Sequence, residues 1–393
     1  MYVALNLQLV LMSLKKDFAY NDKLSFVAEW HHQENIIILT LNFYPIDGTL
    51  ELLDPHGHKC FLKRTKIKNI ELKDVYPCTT LVIFGRMIRV VDYMNCFTQS
   101  FIGSTQERAL IIIKPLVKYQ QYGEIISVME RHFRIANIKR IMLNEEYAFE
   151  LYSGPSFSND KNTAFLRNHI ASGPIVVLEL VSENAIQNGL KLLGPSDPVI
   201  GRKEAPNSLR AIYGYERVTN AFHLSTTPEE INREITLLLR NRSAPITAEI
   251  GNNTICLIKP HVVRNKMLGE IMTYICKRNF TITMIQIFYL ERNEAEEFLE
   301  VYRSVVENFD RLVDSLLCGP CVGLEIGTLD PNVPAQPTFR EVCGPHDPDI
   351  ARQIRPGTIR AQFGVDKFNN AVHCTDLAED AAIDLEYFFK ILQ

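Results

Sequence analysis

The sequence lacks both a long apolar stretch and a strong excess of either charge. Its 393 residues include 42 Lys and Arg against 46 Asp and Glu, which gives a formal net charge of −4. Nucleic-acid binding rests on many phosphate-neutralising Lys and Arg side chains, so this balance argues against it. No stretch approaches the roughly 20 consecutive apolar residues of a membrane span. We therefore expect neither a nucleic-acid partner nor a membrane partner.

The sequence also lacks the pattern of a disulfide framework or of a secretory signal. Its nine cysteines are odd in number and scattered, which favours a reduced compartment. The segment Met1–Leu14 is apolar, but no basic region precedes it and no small-residue cleavage site ends it. We predict a cytoplasmic protein with a flexible tail over residues 1–17.

The rest of the chain contains a long duplication. Each copy carries the same polar residues in the same order, and three pairs of segments lie 150 residues apart, as His373 does from His223. The paired segments are Asn220-Ala-Phe-His223 and Asn370-Ala-Val-His373, Ser208-Leu-Arg210 and Thr358-Ile-Arg360, and Gly194-Pro-Ser-Asp-Pro198 and Gly344-Pro-His-Asp-Pro348, with Ile113-Lys114-Pro115 and Ile258-Lys259-Pro260 upstream. Solenoid units repeat every roughly 20 to 50 residues, so this longer period predicts a duplicated domain.

The order of predicted strands and helices divides the chain into three domains. Residues 18–104 contain short β-prone runs separated by turns, which predicts a small β-rich domain. Residues 106–240 and 251–393 each follow the order β-α-β-β-α-β, with residues 241–250 as the linker. That order is typical of the ferredoxin-like fold. We therefore predict an α+β protein with two tandem ferredoxin-like domains.

The recurring Lys, Arg, Asn and His suggest phosphate chemistry. Ammonium and guanidinium groups neutralise phosphoryl oxygens, and an imidazole nitrogen can attack phosphorus. The sequence has no Gly-x-x-x-x-Gly-Lys-Ser/Thr, which excludes a P-loop. The pattern predicts a polyphosphate ligand and a histidine nucleophile.

These segments resemble the nucleoside diphosphate kinase family, whose signature is Asn-x-x-His-Gly-Ser-Asp downstream of an Ile-Lys-Pro strand and a Ser-Gly-Pro turn. The resemblance covers roughly residues 106–240 and 251–393. It implies a ping-pong reaction in which Mg-ATP phosphorylates the histidine and a nucleoside diphosphate then takes the phosphoryl group. Mg²⁺ would arrive with the nucleotide, and no metal site on the protein is implied. The repeats would pair within one chain, which implies a monomer containing an intramolecular pseudo-dimer.

The resemblance places the better preserved site in the second repeat. His373 would be the nucleophile, with Thr375 as its hydroxyl neighbour and Asp384 as the carboxylate that holds the ring. The family has a glutamate in place of Asp384, so we expect the shorter side chain to orient the imidazole less well. Cys374 replaces the glycine that follows the histidine, which puts the rate in doubt. The residues expected to bind the nucleotide are Lys259, Tyr302, Phe309, Arg340, His346, Arg360 and Asn370.

The first repeat departs further from the family. It keeps Lys114, Ser196, Arg210, Asn220, His223, Ser225 and Glu234. Leu190, however, stands where a phosphate-binding arginine belongs, and Leu224 follows the histidine in place of glycine. One preorganised donor is worth roughly 3 to 4 kcal/mol of transition-state stabilisation. We therefore expect the first repeat to be degenerate, with weak activity or none.

The front domain resembles the DM-ten domain of axonemal proteins through Phe26-Val-Ala-Glu-Trp30, Phe43-Tyr44 and Phe61-Leu-Lys-Arg64. This resemblance implies a PH-like fold, tubulin, doublet microtubules and axonemal proteins as partners, and the gamma-tubulin complex as a further candidate. It also implies the cytoskeleton, the cilium axoneme and the centrosome as locations. Two functions stay open, a phosphotransferase at ciliary microtubules and a catalytically weak structural protein inside doublet microtubules.

One local pattern invites a different function. Cys318-Gly-Pro-Cys321 matches the thioredoxin-type redox motif, which requires a helix N-terminus to lower a thiol pKa. The first repeat has Ser172-Gly-Pro-Ile175 at the same place, leading into a predicted strand. We expect a turn with two coincidental cysteines.

Overall fold

The computed structural model describes residues 22–32, 35–55, 59–77, 79–103, 106–154, 157, 161–241 and 246–392. The predicted tail over residues 1–17 lies outside these ranges, as does part of the predicted linker, residues 242–245. The chain divides into two compact units. One comprises residues up to 105 with 289–295 and 317–319, and the other comprises 106–288, 296–316 and 320–393.

The first unit contains a six-stranded antiparallel sheet in the order β4-β3-β2-β1-β6-β5. The strands are β1 Leu24–His32, β2 Asn35–Tyr44, β3 Thr49–Leu53, β4 Cys60–Lys66, β5 Thr80–Ile83 and β6 Arg86–Tyr93, followed by helix α1 Cys96–Gly103. Alternate side chains along the central strands are buried, for example Leu24, Phe26 and Ala28 in β1. This period of two buries one face of the sheet.

The first repeat forms one half of the second unit. Its elements are β7 Glu107–Ile113, α2 Tyr119–His132, β8 Arg134–Met142, α3 Glu145–Leu151, α4 Thr163–Ile170, β9 Pro174–Ser182, α5 Ala185–Leu193, α6 Pro198–Glu204, α7 Leu209–Tyr213, β10 Phe222–Leu224 and α8 Pro228–Ile235. The apolar runs of β7 and β9 are buried almost throughout, which is typical of strands covered on both faces.

The second repeat has the same plan. Its elements are β11 Thr254–Ile258, α9 Pro260–Arg264, α10 Leu268–Cys276, β12 Phe280–Phe288, α11 Arg292–Phe298, α12 Phe309–Leu317, β13 Cys321–Thr328, α13 Ala335–Cys343, α14 Pro348–Ile354, α15 Ile359–Phe363, β14 Val372–Cys374 and α16 Ala381–Glu386. Cys321 opens β13, so the Cys-Gly-Pro-Cys segment leads into a strand, as expected.

The two repeats share one eight-stranded sheet in the order β10-β7-β9-β8-β12-β13-β11-β14. They join where β8 pairs with β12 at Lys139 and Gln286. Across the same junction, the carboxylate of Glu130 on α2 accepts hydrogen bonds from the backbone N–H groups of Leu268 and Gly269 at the start of α10, at 3.1 and 3.0 Å. The repeats therefore pair within one chain, as the family resemblance implied.

No helix in the described ranges is both long enough and apolar enough to cross a bilayer.

Candidate functional site

The second repeat contains a cleft of about 390 Å³. The residues that line it are Lys259, Leu299, Tyr302, Leu312, Leu316, His346, Arg360, Asn370, Val372, His373 and Asp376. Seven of these carry polar or charged side chains, and six of the seven were predicted from the sequence. The fold therefore brings these six predicted side chains into one cleft, although they come from segments that lie far apart in the chain.

A short edge strand presents His373 to this cleft. In β14, His373 pairs with Leu257 of β11, and Lys259 follows the end of β11 directly. Ala371, the residue directly before β14, has a left-handed backbone with φ of 72°, and its counterpart Ala221, directly before β10, has φ of 68°. A non-glycine residue in this region costs of order 1 kcal/mol or more and persists only where its surroundings impose it. Both repeats therefore keep the same strained approach to the histidine.

The ring of His373 is partly exposed and lies against two aromatic rings. Its centroid is 4.8 Å from that of Phe298 and 6.1 Å from that of Tyr302, both in edge-to-face geometry. Burial, together with the charges of Lys259 and Arg360, lowers the pKa of His373 to about 3. The imidazole is therefore neutral at pH 7, which is the state in which its nitrogen can act as a nucleophile.

Cationic and amide groups surround the histidine. Nζ of Lys259 donates to the carbonyl oxygen of Phe368 at 2.7 Å. The guanidinium of Arg360 donates to the carbonyl oxygens of Gly344 and Val372, at 2.8 and 3.2 Å, and to Sγ of Cys374 at 3.6 Å. These contacts fix two positive charges beside a neutral imidazole, an arrangement suited to an anionic ligand.

Asn370 links His346 to the same cleft. Its Nδ2 donates to the carbonyl oxygen of His346 at 3.0 Å and lies 3.2 Å from Nδ1 of that ring. Its Oδ1 is buried and has no hydrogen-bond partner within the described part of the chain. A buried acceptor without a partner is costly, so this oxygen is suited to a ligand donor such as a hydroxyl group.

Arg340 and Tyr302 both contact Asp376. Nη1 of Arg340 pairs with Oδ1 of Asp376, and the Tyr302 hydroxyl donates to Oδ2. Burial acts to raise the pKa of Asp376, but the hydrogen bonds from Tyr302 and Arg340 outweigh it and hold that pKa below its ordinary value. The carboxylate is therefore ionised at neutral pH.

Asp384 contacts Thr375 and not the histidine. Oγ1 of Thr375 donates to Oδ2 of Asp384 at 2.7 Å, whereas His373 has no hydrogen bond to Asp384 among the described residues. Burial raises the pKa of Asp384 to about 6, although the Thr375 bond acts in the opposite direction. Phe309, at the start of α12, is not among the residues that line the cleft, and the guanidinium of Arg303 lies 4.7 Å from its ring centroid.

The first repeat brings together most of its predicted residues. Lys114 donates to Oδ1 of Asn220 at 2.8 Å, and Asn220 donates to the carbonyl oxygen of Ser196 at 3.0 Å. Arg210 donates to the carbonyl oxygens of Gly194 and Phe222. Burial, with the charge of Arg210, lowers the pKa of Lys114 to about 7.

His223 is held by a carboxylate. Its Nε2 lies 2.9 Å from Oε2 of Glu234, and Ser225 donates to the same oxygen at 2.6 Å. Burial acts to raise the pKa of Glu234, but His223 and Ser225 outweigh it and lower that pKa. The rings of Tyr152 and Phe157 lie 5.7 and 5.9 Å from the histidine.

A family model described as nucleoside diphosphate kinase matches residues 107–244 and 252–392, which are the two repeats. The chain belongs to the nucleoside diphosphate kinase family. It is 37% identical over 382 residues to nucleoside diphosphate kinase homolog 7 of Rattus norvegicus, which covers 95% of this chain and 94% of that protein. The homolog 7 of Mus musculus matches with the same identity and coverage.

Single-domain relatives match one repeat at a time. The nucleoside diphosphate kinase of Aquifex aeolicus is 33% identical over 140 residues, which is 36% of this chain and 95% of that protein. An orthorhombic crystal structure of the enzyme from that organism covers 34% of this chain and 94% of its own, with 34% identity and a TM-score of 0.32.

Two residues near His373 were not among those predicted from the sequence, Asp376 and Phe298. Asp376 lines the cleft and contacts Arg340. It could have been found from the sequence, because it matches the final aspartate of the signature Asn-x-x-His-Gly-Ser-Asp. Phe298 lies closest to the histidine ring of the two aromatics, and no motif marked it. Contacts of this kind depend on how α11 packs and cannot be read from spacing.

Proposed function

We propose that the second repeat is a nucleoside diphosphate kinase that transfers a phosphoryl group from ATP to a nucleoside diphosphate through His373. The observation that carries this proposal is a neutral, partly exposed imidazole that shares one cleft with Lys259, Arg360 and Asn370. Family membership supports the same reaction.

The reaction has two balanced steps. In the first, an imidazole nitrogen of His373 attacks the γ-phosphorus, so that an N–P bond forms, the P–O bond to the β-phosphate breaks and ADP leaves. In the second, a terminal oxygen of a nucleoside diphosphate attacks that phosphorus and the N–P bond breaks. Lys259 and Arg360 stabilise the charge that develops on the phosphoryl oxygens, and such fixed charges supply most of the catalysis in phosphoryl transfer.

The cleft suits magnesium carried by the nucleotide. In the described ranges no group of three or more His, Cys, Asp or Glu side chains could hold a metal ion. Family membership supports Mg²⁺ that enters as part of the substrate, bound to phosphate oxygens, where it neutralises their charge. The side chains of the cleft need only bind and orient that complex.

Turnover of ATP and GDP to ADP and GTP, separated by chromatography, tests the proposal. We expect the wild type and His223→Asn to form GTP at similar rates, and His373→Asn to fall to background, because only the second cleft keeps the full cationic set. Loss of activity in His223→Asn alone, or a folded wild type that forms no GTP, would contradict it.

We further propose that the chain acts at ciliary and axonemal microtubules, including those of the centrosome. The support is the resemblance of residues 18–104 to the DM-ten domain, together with Leu190 and Leu224, which replace a phosphate-binding arginine and the glycine after the histidine in the first repeat and favour a structural use of that fold. Co-sedimentation of the full chain with assembled tubulin, and its localisation by fluorescence in ciliated cells, test the microtubule proposal. A chain that stays in the supernatant and outside cilia would refute it.

We also propose a fold type for each part of the chain. The sheet of the first unit is PH-like. The four strands of each repeat lie in the order fourth-first-third-second, which supports a ferredoxin-like fold.

A further inference from the structure

Asp376 joins two side chains that approach the cleft from different elements. Arg340 comes from α13, and Tyr302 from the 3₁₀ turn Glu300–Tyr302. Each takes a different oxygen of the carboxylate, Oδ1 for Arg340 and Oδ2 for Tyr302. No other side chain in the described part of the chain hydrogen-bonds to both, so one carboxylate fixes their separation.

The duplication provides an internal comparison. The residue 150 positions before Arg340 is Leu190, and the residue 150 positions before Asp376 is Thr226. Two rings lie beside His223, those of Tyr152 and Phe157, with centroids at 5.7 and 5.9 Å, where the ring of Tyr302 lies 6.1 Å from His373. The first repeat thus lacks the guanidinium and the carboxylate together, although Tyr152 places a hydroxyl-bearing ring beside its histidine.

Four other polar residues of the site are the same in both repeats. Lys114, Arg210, Asn220 and His223 are all present in the first repeat. A carboxylate with a contribution of its own could persist without the arginine. In the first repeat the carboxylate and the arginine are both absent, as expected if the two side chains act as a pair.

The arrangement of donors shows how the pair could serve a nucleotide. A guanidinium has five N–H donors in a fixed plane. Asp376 takes only Nη1, and among the described residues no further hydrogen bond engages Nε or Nη2 of Arg340. An arginine anchored at one nitrogen keeps a defined direction for the donors that remain, which reduces the conformational entropy lost when phosphate binds.

Resting on the proposed function, we propose that Asp376 is the positioning residue of the phosphate-binding group in the second repeat, and that it acts through Arg340 and Tyr302. It touches neither the phosphoryl group nor the nucleophile in this role. Asp384, which the sequence suggested as the carboxylate of the site, binds Thr375 and takes no part in this cluster.

The first test needs no nucleotide and uses the full chain. Arginine Nε–Hε resonances are recorded by NMR, and that of Arg340 is assigned by its loss in Arg340→Lys. We expect an ordered signal in the wild type and a mobile one in Asp376→Asn. Asp349→Asn is the matched control, because it removes the same charge from an exposed pair with Arg352 on the same repeat. An Arg340 signal that is equally ordered in Asp376→Asn would overturn the proposal.

The second test is a double-mutant cycle on ADP binding, measured by calorimetry with Mg²⁺. We expect Asp376→Asn to weaken ADP binding about tenfold, the effect of losing one charge-assisted hydrogen bond. Arg340→Gln and the double variant should then have the same affinity within about twofold. Independent losses that multiply, or tighter ADP binding in Asp376→Asn, would show that Asp376 does not position Arg340.

The two tests separate the two claims. A wild type that binds no ADP would contradict the proposed function, while the arginine spectrum would still decide the role of Asp376. Asp376 is about two-fifths exposed, so Asp376→Asn is expected to fold. If Asp376→Asn does not fold, Tyr302→Phe replaces it, because this variant removes the contact to the other carboxylate oxygen. We expect Arg340 to become more mobile in Tyr302→Phe, to a smaller degree. An Arg340 signal that stays equally ordered in this variant would count against the proposal.

Discussion

Nε2 of His223 lies 2.9 Å from Oε2 of Glu234, so a carboxylate holds the histidine of the first repeat. In the second repeat the corresponding side chain, Asp384, is one methylene shorter and keeps only the hydroxyl contact, with Thr375 in the place of Ser225. The repeat with the complete cationic cleft therefore has the less constrained histidine. Edge contacts with Phe298 and Tyr302 orient that ring in place of the carboxylate.

Asp384→Glu is expected to speed phosphorylation of His373 by about tenfold, since misplacement of a reacting group by about 1 Å can cost up to a hundredfold in rate. The longer side chain would reach the ring nitrogen as Glu234 reaches His223. Rapid-quench measurement of the first turnover with labelled ATP checks this. Glu234→Asp is the reciprocal control and should leave the rate at His373 unchanged; no acceleration in Asp384→Glu would mean that ring orientation does not limit the step.

Asp384→Asn is expected to stabilise the protein at neutral pH. Burial raises the pKa of Asp384 to about 6, above its ordinary value of about 3.8, so the folded state binds the proton more tightly than the unfolded state. The charged form therefore destabilises the fold above about pH 6, and this penalty disappears as the pH falls toward 4. The free energy of unfolding, measured with urea at pH 7.5 and at pH 4, checks this expectation, and the variant should be more stable than the wild type only at pH 7.5. An equal stability difference at both pH values would contradict the raised pKa of Asp384.

Gly123→Ala is expected to destabilise the junction of the repeats by about 1 to 3 kcal/mol. A Cβ at this position would lie 2.5 Å from the backbone nitrogen of Thr273 and 2.7 Å from the carbonyl oxygen of Gly269, so α2 and α10 would have to separate. Chemical denaturation measures the change. Gly251→Ala is the control and should have little effect on stability, because a Cβ there would meet no described atom within 4 Å. An equal loss in both variants would contradict the close-packing account.

Leu190→Arg combined with Thr226→Asp is expected to restore nucleotide binding to the first repeat. Leu190 is 39% exposed, so a longer side chain can be accommodated there. Lys114, Arg210 and Asn220 already lie in place. Calorimetry with ADP should show the stoichiometry rise from about one toward two. Leu190→Arg alone should give a weaker second site, and an unchanged stoichiometry in the double variant would show that other differences silence this repeat.

Much of the second cleft could be predicted from the order of residues. Lys259, Asn370 and His373 lie in or beside the strands β11 and β14, and Arg360 lies on the short helix α15, so matching two copies was enough to place them together. The predicted pairing of the repeats also appears, through β8 and β12. Residue spacing predicts a contact correctly when the backbone, and not the length of a side chain, determines which residues meet.

The remaining contacts depend on side-chain length and on packing between distant elements. Whether Asp384 reaches the histidine depends on one methylene group. Asp376 meets Arg340 only because β14 and α13 pack together. Phe309 was expected to bind the nucleotide, yet it is not among the cleft-lining residues and its ring lies against Arg303. Its proposed role stays a prediction.

The most direct test of the central claim is to locate the phosphoryl group itself. Full-length protein is incubated with γ-labelled ATP and Mg²⁺, kept at alkaline pH because phosphohistidine is acid-labile, and the labelled peptide is identified by mass spectrometry. We predict label on His373 alone, absent in His373→Asn, retained in His223→Asn and discharged as labelled GTP when GDP is added. Label on His223, or a folded wild type that takes up none, would contradict the account.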